Sequence, residues 1–275
     1  MTLSRRDIGI LLTQHGLAPR REFGQNFVGD PNTVRRIARL AAVGPADHVV
    51  EVGAGLGSLT VALAETGASV LAVEIDRGIV PVLRSVVEPW PNVTVVEGDA
   101  QQISWPELLS SASEWVLVAN LPYNVGTPLV MDLLDDVPNI VRMLVMVQRE
   151  VAERMVASTR TGAYGAVTVK VAYWATARIA GYVPATVFVP QPKVESALVE
   201  ITRRPVPAVD CDRAVLFQLV KAGFAHRRKM LRGCLGDLVS PEQFAAAQIA
   251  PTARAEELDV FAWGRLADVV ARVRS

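Results

Sequence analysis

The sequence predicts an α/β fold in which a doubly wound, mostly parallel sheet of seven strands is followed by a small all-helical domain. Short apolar runs alternate with segments of helical period from residue 30 to residue 147, and only helical patterns follow a proline-rich break near residue 205. Such alternation is typical of parallel sheets with helices on both faces. With 275 residues, 51% of them hydrophobic, the chain is long enough for one large and one smaller domain.

In the first domain, each expected element has a local signal. Asp30 as an N-cap and Pro31 at the first helical position predict a helix to about residue 42. The further helices are expected at 56–65, 77–87 and 127–135, with a short one between residues 96 and 115. The apolar runs predict strands at 49–52, 69–73, 93–96, 115–119, 140–147, 166–175 and 197–202. No obvious helix separates the last two strands, which favours an antiparallel edge of the sheet.

A linker of Pro205, Val206 and Pro207 is expected to separate two domains, residues 1–204 and 205–275. Helices of the second domain are expected at 212–223, 227–235, 241–247 and 260–272. From Arg203 to Arg232 there are eight basic and two acidic residues, a local surplus of 8 − 2 = 6 in a chain with 28 residues of each charge. This surplus favours binding of a polyanion; a solvated helix face is the alternative.

Cysteine usage and hydropathy restrict the class of protein. Cys211 and Cys234 have no metal-ligand spacing, so neither a disulfide framework nor a zinc site is expected. The apolar stretch after Arg5 and Arg6 is too short for a signal peptide, and no apolar run is long enough to span a bilayer. We therefore expect a cytoplasmic protein that uses no metal and does not enter a membrane.

A glycine-rich segment, residues 51–57 (EVGAGLG), directly follows the first strand of the alternating region and precedes a helix. Glycines let the backbone approach a ligand closely, and the start of a helix presents free N–H groups. The dinucleotide pattern G-x-G-x-x-G/A fails, because Ser58 occupies its third position. The spacing Gly53-x-Gly55-x-Gly57 instead resembles the loop of S-adenosylmethionine-dependent methyltransferases. A plain tight turn is the alternative.

Two carboxylates follow the next two strands. Glu74 can accept both ribose hydroxyls of a nucleoside, and Asp99 can accept a bond from the adenine amino group of a cofactor. NAD enzymes use a similar glutamate, and Asp99 alone could be a turn or N-cap residue. Together with the glycine segment, they favour a methyltransferase over an NAD-dependent dehydrogenase.

The segment Asn120-Leu121-Pro122-Tyr123 follows a buried strand, at the edge where open α/β sheets place their ligands. The side-chain oxygen of Asn120 and the backbone oxygen of Leu121 can accept the two N–H groups of an adenine amino group, while Tyr123 stacks on the base. Two such bonds localise the nitrogen lone pair and aim it at a methyl donor. No strong base is required, and no role is expected for the histidines. A turn containing proline is the alternative.

These segments resemble the ribosomal RNA adenine dimethyltransferase family, specifically its bacterial small-subunit (16S) branch. Further blocks that resemble the family, in the same order, are residues 23–28, 73–76, 148–150, 190–194 and 224–231. The resemblance implies a Rossmann-like class I methyltransferase domain followed by a helical RNA-binding domain. It implies that S-adenosylmethionine is converted to S-adenosylhomocysteine. The implied substrate is a pair of adjacent adenosines in a hairpin near the 3′ end of 16S rRNA, within a precursor of the 30S ribosomal subunit. The protein is expected to be a monomer.

The resemblance also implies roles for individual residues. The implied catalytic residues are Asn120, Leu121, Tyr123 and Phe188, with Phe188 on the opposite face of the target base from Tyr123. The implied cofactor contacts are Asn26, Val28, Gly53, Gly55, Glu74, Asp99 and Asn120. The expected RNA contacts are Arg227, Arg228, Lys229 and Arg232. Val28 stands where the family usually has leucine, a change that leaves a backbone contact possible.

Three other functions are compatible with parts of the sequence. A large-subunit rRNA adenine methylase of the antibiotic-resistance type would share the cofactor segments, but residues 190–194 and 227–229 favour the small-subunit enzyme. A DNA adenine methylase would need a target-recognition region, which is not apparent. A ribosome-assembly factor that acts mainly by binding is the alternative from another class.

Overall fold

The computed structural model describes residues 2–20, 22–123 and 125–274. The helices of this part of the chain are α1 (Arg5–Gln14), α2 (Pro31–Ala41), α3 (Ser58–Ala64), α4 (Val80–Val87), α5 (Trp105–Leu108), α6 (Gly126–Asp136), α7 (Arg149–Met155), α8 (Ala166–Trp174), α9 (Arg213–Ala225), α10 (Leu231–Cys234), α11 (Pro241–Ala246) and α12 (Val260–Arg274). The strands are β1 (Phe27–Val28), β2 (His48–Val52), β3 (Ser69–Glu74), β4 (Val93–Glu97), β5 (Trp115–Asn120), β6 (Ile140–Gln148), β7 (Ala175–Val183), β8 (Phe188–Val189) and β9 (Ser196–Arg203).

The main sheet has seven strands in the order β4-β3-β2-β5-β6-β9-β7. Strands β2 to β6 pair in parallel, whereas β9 runs antiparallel to β6. The chain moves outward from β2 through β3 to β4 and then returns to β5 on the other side of β2. The strand order therefore reverses between β2 and β5, which is where open α/β sheets bind their ligands. This confirms the predicted doubly wound, mostly parallel sheet and its antiparallel edge.

Burial of the central strands explains why they read as continuous apolar runs. Val49 and Val50 in β2 and Leu117 and Val118 in β5 have no exposed surface. Each such side chain contributes about 1.5–3 kcal/mol when it is fully buried. Strands that are covered on both faces cannot alternate apolar and polar residues.

The chain divides into two compact units, each formed by separated stretches. Unit 1 comprises Met1–Ala152 and Arg178–Thr202, and unit 2 comprises Glu153–Ala177 and Arg203–Ser275. The predicted boundary at residue 204 lies close to Thr202, where the chain leaves unit 1 for the last time. The prediction assigned residues 153–177 to the first domain, however, and the structure places them in unit 2.

The strand predicted at 166–175 is the helix α8 instead. Gly165 donates its N–H to the hydroxyl of Thr168 at 3.1 Å, which helps to start the helix. Val169 and Tyr173, four residues apart and therefore on one helix face, pack into the core of unit 2 with Leu216 and Trp263. This tertiary packing outweighs the β propensity of valine and tyrosine. The edge strand β7 starts only at Ala175.

The helix predicted at 227–235 is also shorter than expected. Arg227–Lys229 lie in a turn closed by a bond from the Lys229 N–H to the His226 carbonyl at 2.8 Å. Met230 then pairs with Arg254 in an isolated antiparallel bridge, so α10 begins only at Leu231. The basic block is therefore presented by a turn.

None of the described helices has the combination of length and apolar composition that a bilayer crossing requires.

Candidate active site

A cleft in unit 1 lies at the carboxyl ends of β2, β3, β4 and β5. One part, with a cavity of about 90 Å³, is lined by residues 24–28, the segment after β2 and the segment after β5. A second part, of about 260 Å³, is lined by Gly98, Asp99 and the side of α6. Phe23, Gly53, Ile75 and Pro122 line both parts, so the two form one continuous cleft.

The loop between β2 and α3 forms the floor of this cleft. Gly53, Gly55 and Gly57 all have positive φ, at 73°, 56° and 88°, a conformation that other residues rarely adopt. A Cβ added to Gly55 would lie 3.0 Å from the Phe27 ring, and one added to Gly57 would lie 2.9 Å from Leu83. The glycines thus provide the turn and also allow close packing against Phe27 and Leu83.

Glu74 holds this loop in place. Its Oε2 accepts the N–H of Gly55 at 2.7 Å, and its Oε1 accepts the N–H of Asp76 at 2.9 Å. The side chain is almost fully buried, and this burial raises the pKa of Glu74 above its usual range. Glu74 lines the cleft as predicted, and its carboxylate also supports the loop.

Glu51 is a cleft residue to which the sequence assigned no role. It is 2% exposed, and its Oε2 has no hydrogen-bond partner among the described residues. Burial raises the pKa of Glu51 to about 8, and the neighbouring Glu74 charge adds to this effect. A carboxyl with this pKa is mostly protonated at neutral pH, so Glu51 would pair with a cationic group of a ligand only by releasing its proton. The available signal was a carboxylate within the otherwise apolar residues 49–52.

The remaining predicted cofactor residues line the same cleft. The Asp99 Oδ1 accepts the N–H of Gln101 at 2.9 Å, which shapes the loop after β4. Asn26 donates from Nδ2 to the carbonyl of Gly24 at 3.0 Å. Val28 is buried and pairs with Phe188 in a small antiparallel sheet formed by β1 and β8. All three residues line one or the other part of the cleft.

The segment from Asn120 to Tyr123 forms one wall of the cleft and is fixed at several points. The Asn120 side chain donates from Nδ2 to the carbonyl of Asn26 at 3.0 Å, which leaves its Oδ1 as an acceptor. The Leu121 N–H donates to the Met146 carbonyl at 3.1 Å. The Pro122 carbonyl accepts the N–H of Gly126 at 2.9 Å, closing the turn that presents Tyr123.

Tyr123 and Phe188 have different surroundings. The Tyr123 ring is partly exposed at the cleft, and its hydroxyl lies 2.7 Å from the Ser196 hydroxyl. Phe188 has 0% exposure and packs in the core with Val34 and Leu198. The structure therefore does not place Phe188 at the cleft opposite Tyr123, as the resemblance implied.

The predicted RNA contacts in unit 2 also divide into two kinds. Arg228, Lys229 and Arg232 are exposed. Arg227 is partly buried. It donates from Nε to the Glu256 carboxylate at 2.9 Å and from Nη2 to the Thr161 carbonyl at 2.8 Å. Its guanidinium therefore connects two stretches of unit 2. Among the described residues, no group of three or more His, Cys, Asp or Glu side chains could hold a metal ion.

The strand order and the loop after β2 are those of the Rossmann-like methyltransferases, and the acceptors at the end of β5 suit transfer to an amino group. The sequence profile described as "Ribosomal RNA adenine dimethylase" matches residues 16–272. The chain therefore belongs to the ribosomal RNA adenine dimethylase family.

Curated relatives match along almost the whole chain. The "Ribosomal RNA small subunit methyltransferase A" of Cutibacterium acnes is 45% identical over 98% of this chain and 95% of its own length. The protein of the same name from Kineococcus radiotolerans is 45% identical over 96% of this chain and 90% of its own length.

Two solved structures have the same fold. A dimethyladenosine transferase from Plasmodium falciparum, 23% identical, superposes with a TM-score of 0.71 and covers 86% of this chain and 94% of its own. The 23S rRNA methyltransferase ErmE, 26% identical, superposes with a TM-score of 0.69 and covers 90% of this chain and 100% of its own.

Proposed function

We propose that the protein transfers methyl groups from S-adenosylmethionine to N6 of two adjacent adenosines near the 3′ end of 16S rRNA, giving N6,N6-dimethyladenosines. The observation that supports this most directly is the anchored Asn120–Tyr123 segment beside the glycine loop, in a chain whose family match spans residues 16–272. Its relatives at 42–45% identity are named for the small ribosomal subunit. The substrate is a 30S precursor in the cytoplasm, and the protein acts as a monomer.

Two features of the cleft suit the cofactor. The positive-φ glycines bring the backbone close to the ligand. Glu51 can release its proton when a cationic group binds beside it. Asn26, Val28, Gly53, Gly55, Glu74, Asp99 and Asn120 would hold the cofactor. When bound there, S-adenosylmethionine supplies an electrophilic methyl group.

The acceptors at the end of β5 prepare the adenine amino group for methylation. Asn120 is held through its Nδ2, so its Oδ1 can accept one N6 hydrogen while the Leu121 carbonyl accepts the other. These two bonds concentrate the lone pair on N6 and orient it. Tyr123 stacks on the base, which must be unpaired or flipped out of a helix to reach the cleft. Stacking on the opposite face by Phe188 would require its buried ring to move.

Replacing Asn120 by alanine tests the catalytic assignment. We expect Asn120→Ala to lower the rate of methylation by at least about 100-fold, because one of two oriented acceptors is lost. Incorporation of labelled methyl groups into small-subunit particles that lack the modification measures this rate. Asn139→Ala, at the turn before β6 and away from the cleft, is the matched control and should retain activity.

The same variant distinguishes catalysis from binding alone. Asn120→Ala should still sediment with 30S precursors, because Asn120 lies in the cleft and the exposed basic residues of unit 2 are unchanged. An Asn120→Ala protein that methylates at the wild-type rate would refute the role of this residue.

Methylation of the large subunit is the second candidate, favoured by the likeness to ErmE at 26% identity. Ribosomal particles are incubated with the protein, and primer extension is then carried out on their deproteinised 16S and 23S rRNA. This measurement separates methylation of the small subunit from methylation of the large subunit. We expect stops caused by dimethyladenosine on 16S rRNA only.

A further inference from the structure

Ser196 is a buried polar residue at the start of an apolar strand. Its side chain has 0% exposure, and it is followed in β9 by the buried Ala197 and Leu198. A buried hydroxyl is unfavourable unless it has a hydrogen-bond partner. Its Oγ lies 2.7 Å from the hydroxyl of Tyr123, which is 73 residues away in sequence. The bond to Tyr123 thus explains a serine at this position.

The backbone that carries Ser196 is held firmly in the sheet. Ser196 is paired with Gln148 in the antiparallel register of β6 and β9. Next to this pair, the Arg149 N–H donates to the Glu195 carbonyl at 3.0 Å. The ladder of strand hydrogen bonds therefore fixes the backbone from which the Ser196 hydroxyl projects.

This bond fixes the far end of the Tyr123 ring. The near end is fixed by the turn in which the Pro122 carbonyl accepts the N–H groups of Val125 and Gly126. The two fixed ends define the direction of the ring axis, which is χ1 of the side chain. A phenol hydroxyl prefers to form its hydrogen bonds in the plane of its ring, so the direction to the Ser196 Oγ selects the ring plane as well. The plane of the ring is then set before any base arrives, which reduces the ordering cost of stacking.

We propose that Ser196 is a positioning residue for the methylation reaction: its hydroxyl sets the plane of the Tyr123 ring on which the target adenine stacks. This inference rests on the proposed function, because it concerns the same cleft. Ser196 need not touch the substrate. It acts through Tyr123, and its loss should slow methylation without weakening cofactor binding.

The test is a double-mutant cycle with Ser196→Ala, Tyr123→Phe and the combined variant, all in the full-length protein. Each single change should lower kcat roughly tenfold, which corresponds to the loss of one buried hydrogen bond and its orienting effect. Because both changes remove the same bond, the combined variant should be no slower than either single variant. The dissociation constant for S-adenosylmethionine should stay within about twofold of the wild-type value, as the bond lies outside the glycine loop.

Base stacking has its own readout. The fluorescence of a hairpin RNA with 2-aminopurine at the target position should fall on binding the wild-type protein, because the base stacks on the Tyr123 ring. The fall should be smaller on binding Ser196→Ala or Tyr123→Phe. Thr202→Ala removes an exposed hydroxyl from the other end of β9 and serves as the matched control. It should leave kcat and the fluorescence change at their wild-type values.

Two results would overturn the positioning role. One is a Tyr123→Phe protein with wild-type kcat. The other is a combined variant whose loss is the product of the single losses. If the wild-type protein itself does not methylate adenosine in any ribosomal particle, the proposed function fails, and the role of Ser196 fails with it. The first two results leave the proposed function standing, so the two kinds of failure are distinguishable.

Discussion

At the scale of single residues, neighbouring cations in one basic block have different physical roles. Arg227 is occupied by Glu256 and the Thr161 carbonyl, whereas Arg228 is exposed. A partly buried ion pair that also satisfies a backbone carbonyl contributes to stability, while an exposed cation contributes little to it. An exposed cation can instead contact phosphate and release counterions.

Separate substitutions should reveal this difference. Arg227→Ala should lower the melting temperature by several degrees, because Glu256 and Thr161 lose their partner. Arg228→Ala should leave the melting temperature unchanged and weaken RNA binding, with a smaller dependence on salt concentration. Thermal unfolding and filter binding at several salt concentrations measure the two effects. If Arg227→Ala melted like the wild type, the structural role of this arginine would be wrong.

The sequence predicted which residues lie at the cleft where their placement depends on position along the chain. Asn120, Glu74 and Asp99 follow strands, so the topology alone brings them to one edge of the sheet. It predicted less well for Phe188 and Arg227. Contacts between distant segments decide whether a phenylalanine faces a cleft or the core. They also decide whether an arginine forms a salt bridge with a carboxylate.

At the scale of elements, the packing of α9 against α12 depends on a glycine. A Cβ on Gly223 would lie 2.6 Å from the ring of Trp263, which is fully buried in the core of unit 2. The tryptophan ring thus occupies the volume that any larger residue at 223 would need. Interior packing at native density leaves little room to accommodate such a clash.

Gly223→Ala should therefore destabilise the protein, by about 1–3 kcal/mol, as overpacked cores do. The control is Gly233→Ala in α10, where an added Cβ meets nothing within 4 Å. That change should be neutral or stabilise by up to about 1 kcal/mol, because alanine is the better helix former. Urea unfolding of both variants measures the difference. Equal midpoints for the two variants would show that Trp263 moves freely and would refute this packing.

Elements were predicted correctly where burial and local propensity agree. The apolar strands β2, β3 and β5 are examples, because valine-rich runs covered on both faces have few alternatives. The helix α8 was predicted as a strand, since its apolar residues suit either structure. The helix is favoured because Val169 and Tyr173 join a core that contains Leu216 and Trp263. Leu216 and Trp263 are distant from α8 in sequence, so the local pattern could not reveal this packing.

At the scale of the whole molecule, buried carboxyls make folding depend on pH. The pKa of Glu51 is raised from 4.5 to about 8 in the folded protein, mainly by burial. The folded state therefore keeps a proton that the unfolded chain releases. The stability associated with this proton is fully present below about pH 4.5 and is lost as the pH rises through about 8.

Glu51→Gln should remove much of this dependence. Between about pH 5 and about pH 9, the melting temperature of the wild type should fall by several degrees more than that of Glu51→Gln. Glu114→Gln, at an exposed position before β5, is the matched control and should follow the wild type. Scanning calorimetry in the absence of cofactor gives the comparison. Parallel curves for the wild type and Glu51→Gln would contradict the assignment.

Unit 2 is formed by two separated stretches of the chain, which affects how recombination could transfer it between this protein and its relatives. A single crossover near Thr202 would replace residues 203–275 and retain 153–177 from the original parent. Val169 and Tyr173 would then have to fit helices that evolved beside other side chains. A hybrid that inherits unit 2 intact needs both stretches from one parent. A single crossover near Ala152 would transfer both stretches, but it would also replace residues 178–202 of unit 1. An exchange that keeps both units whole therefore needs three crossovers, near Ala152, Ala177 and Thr202.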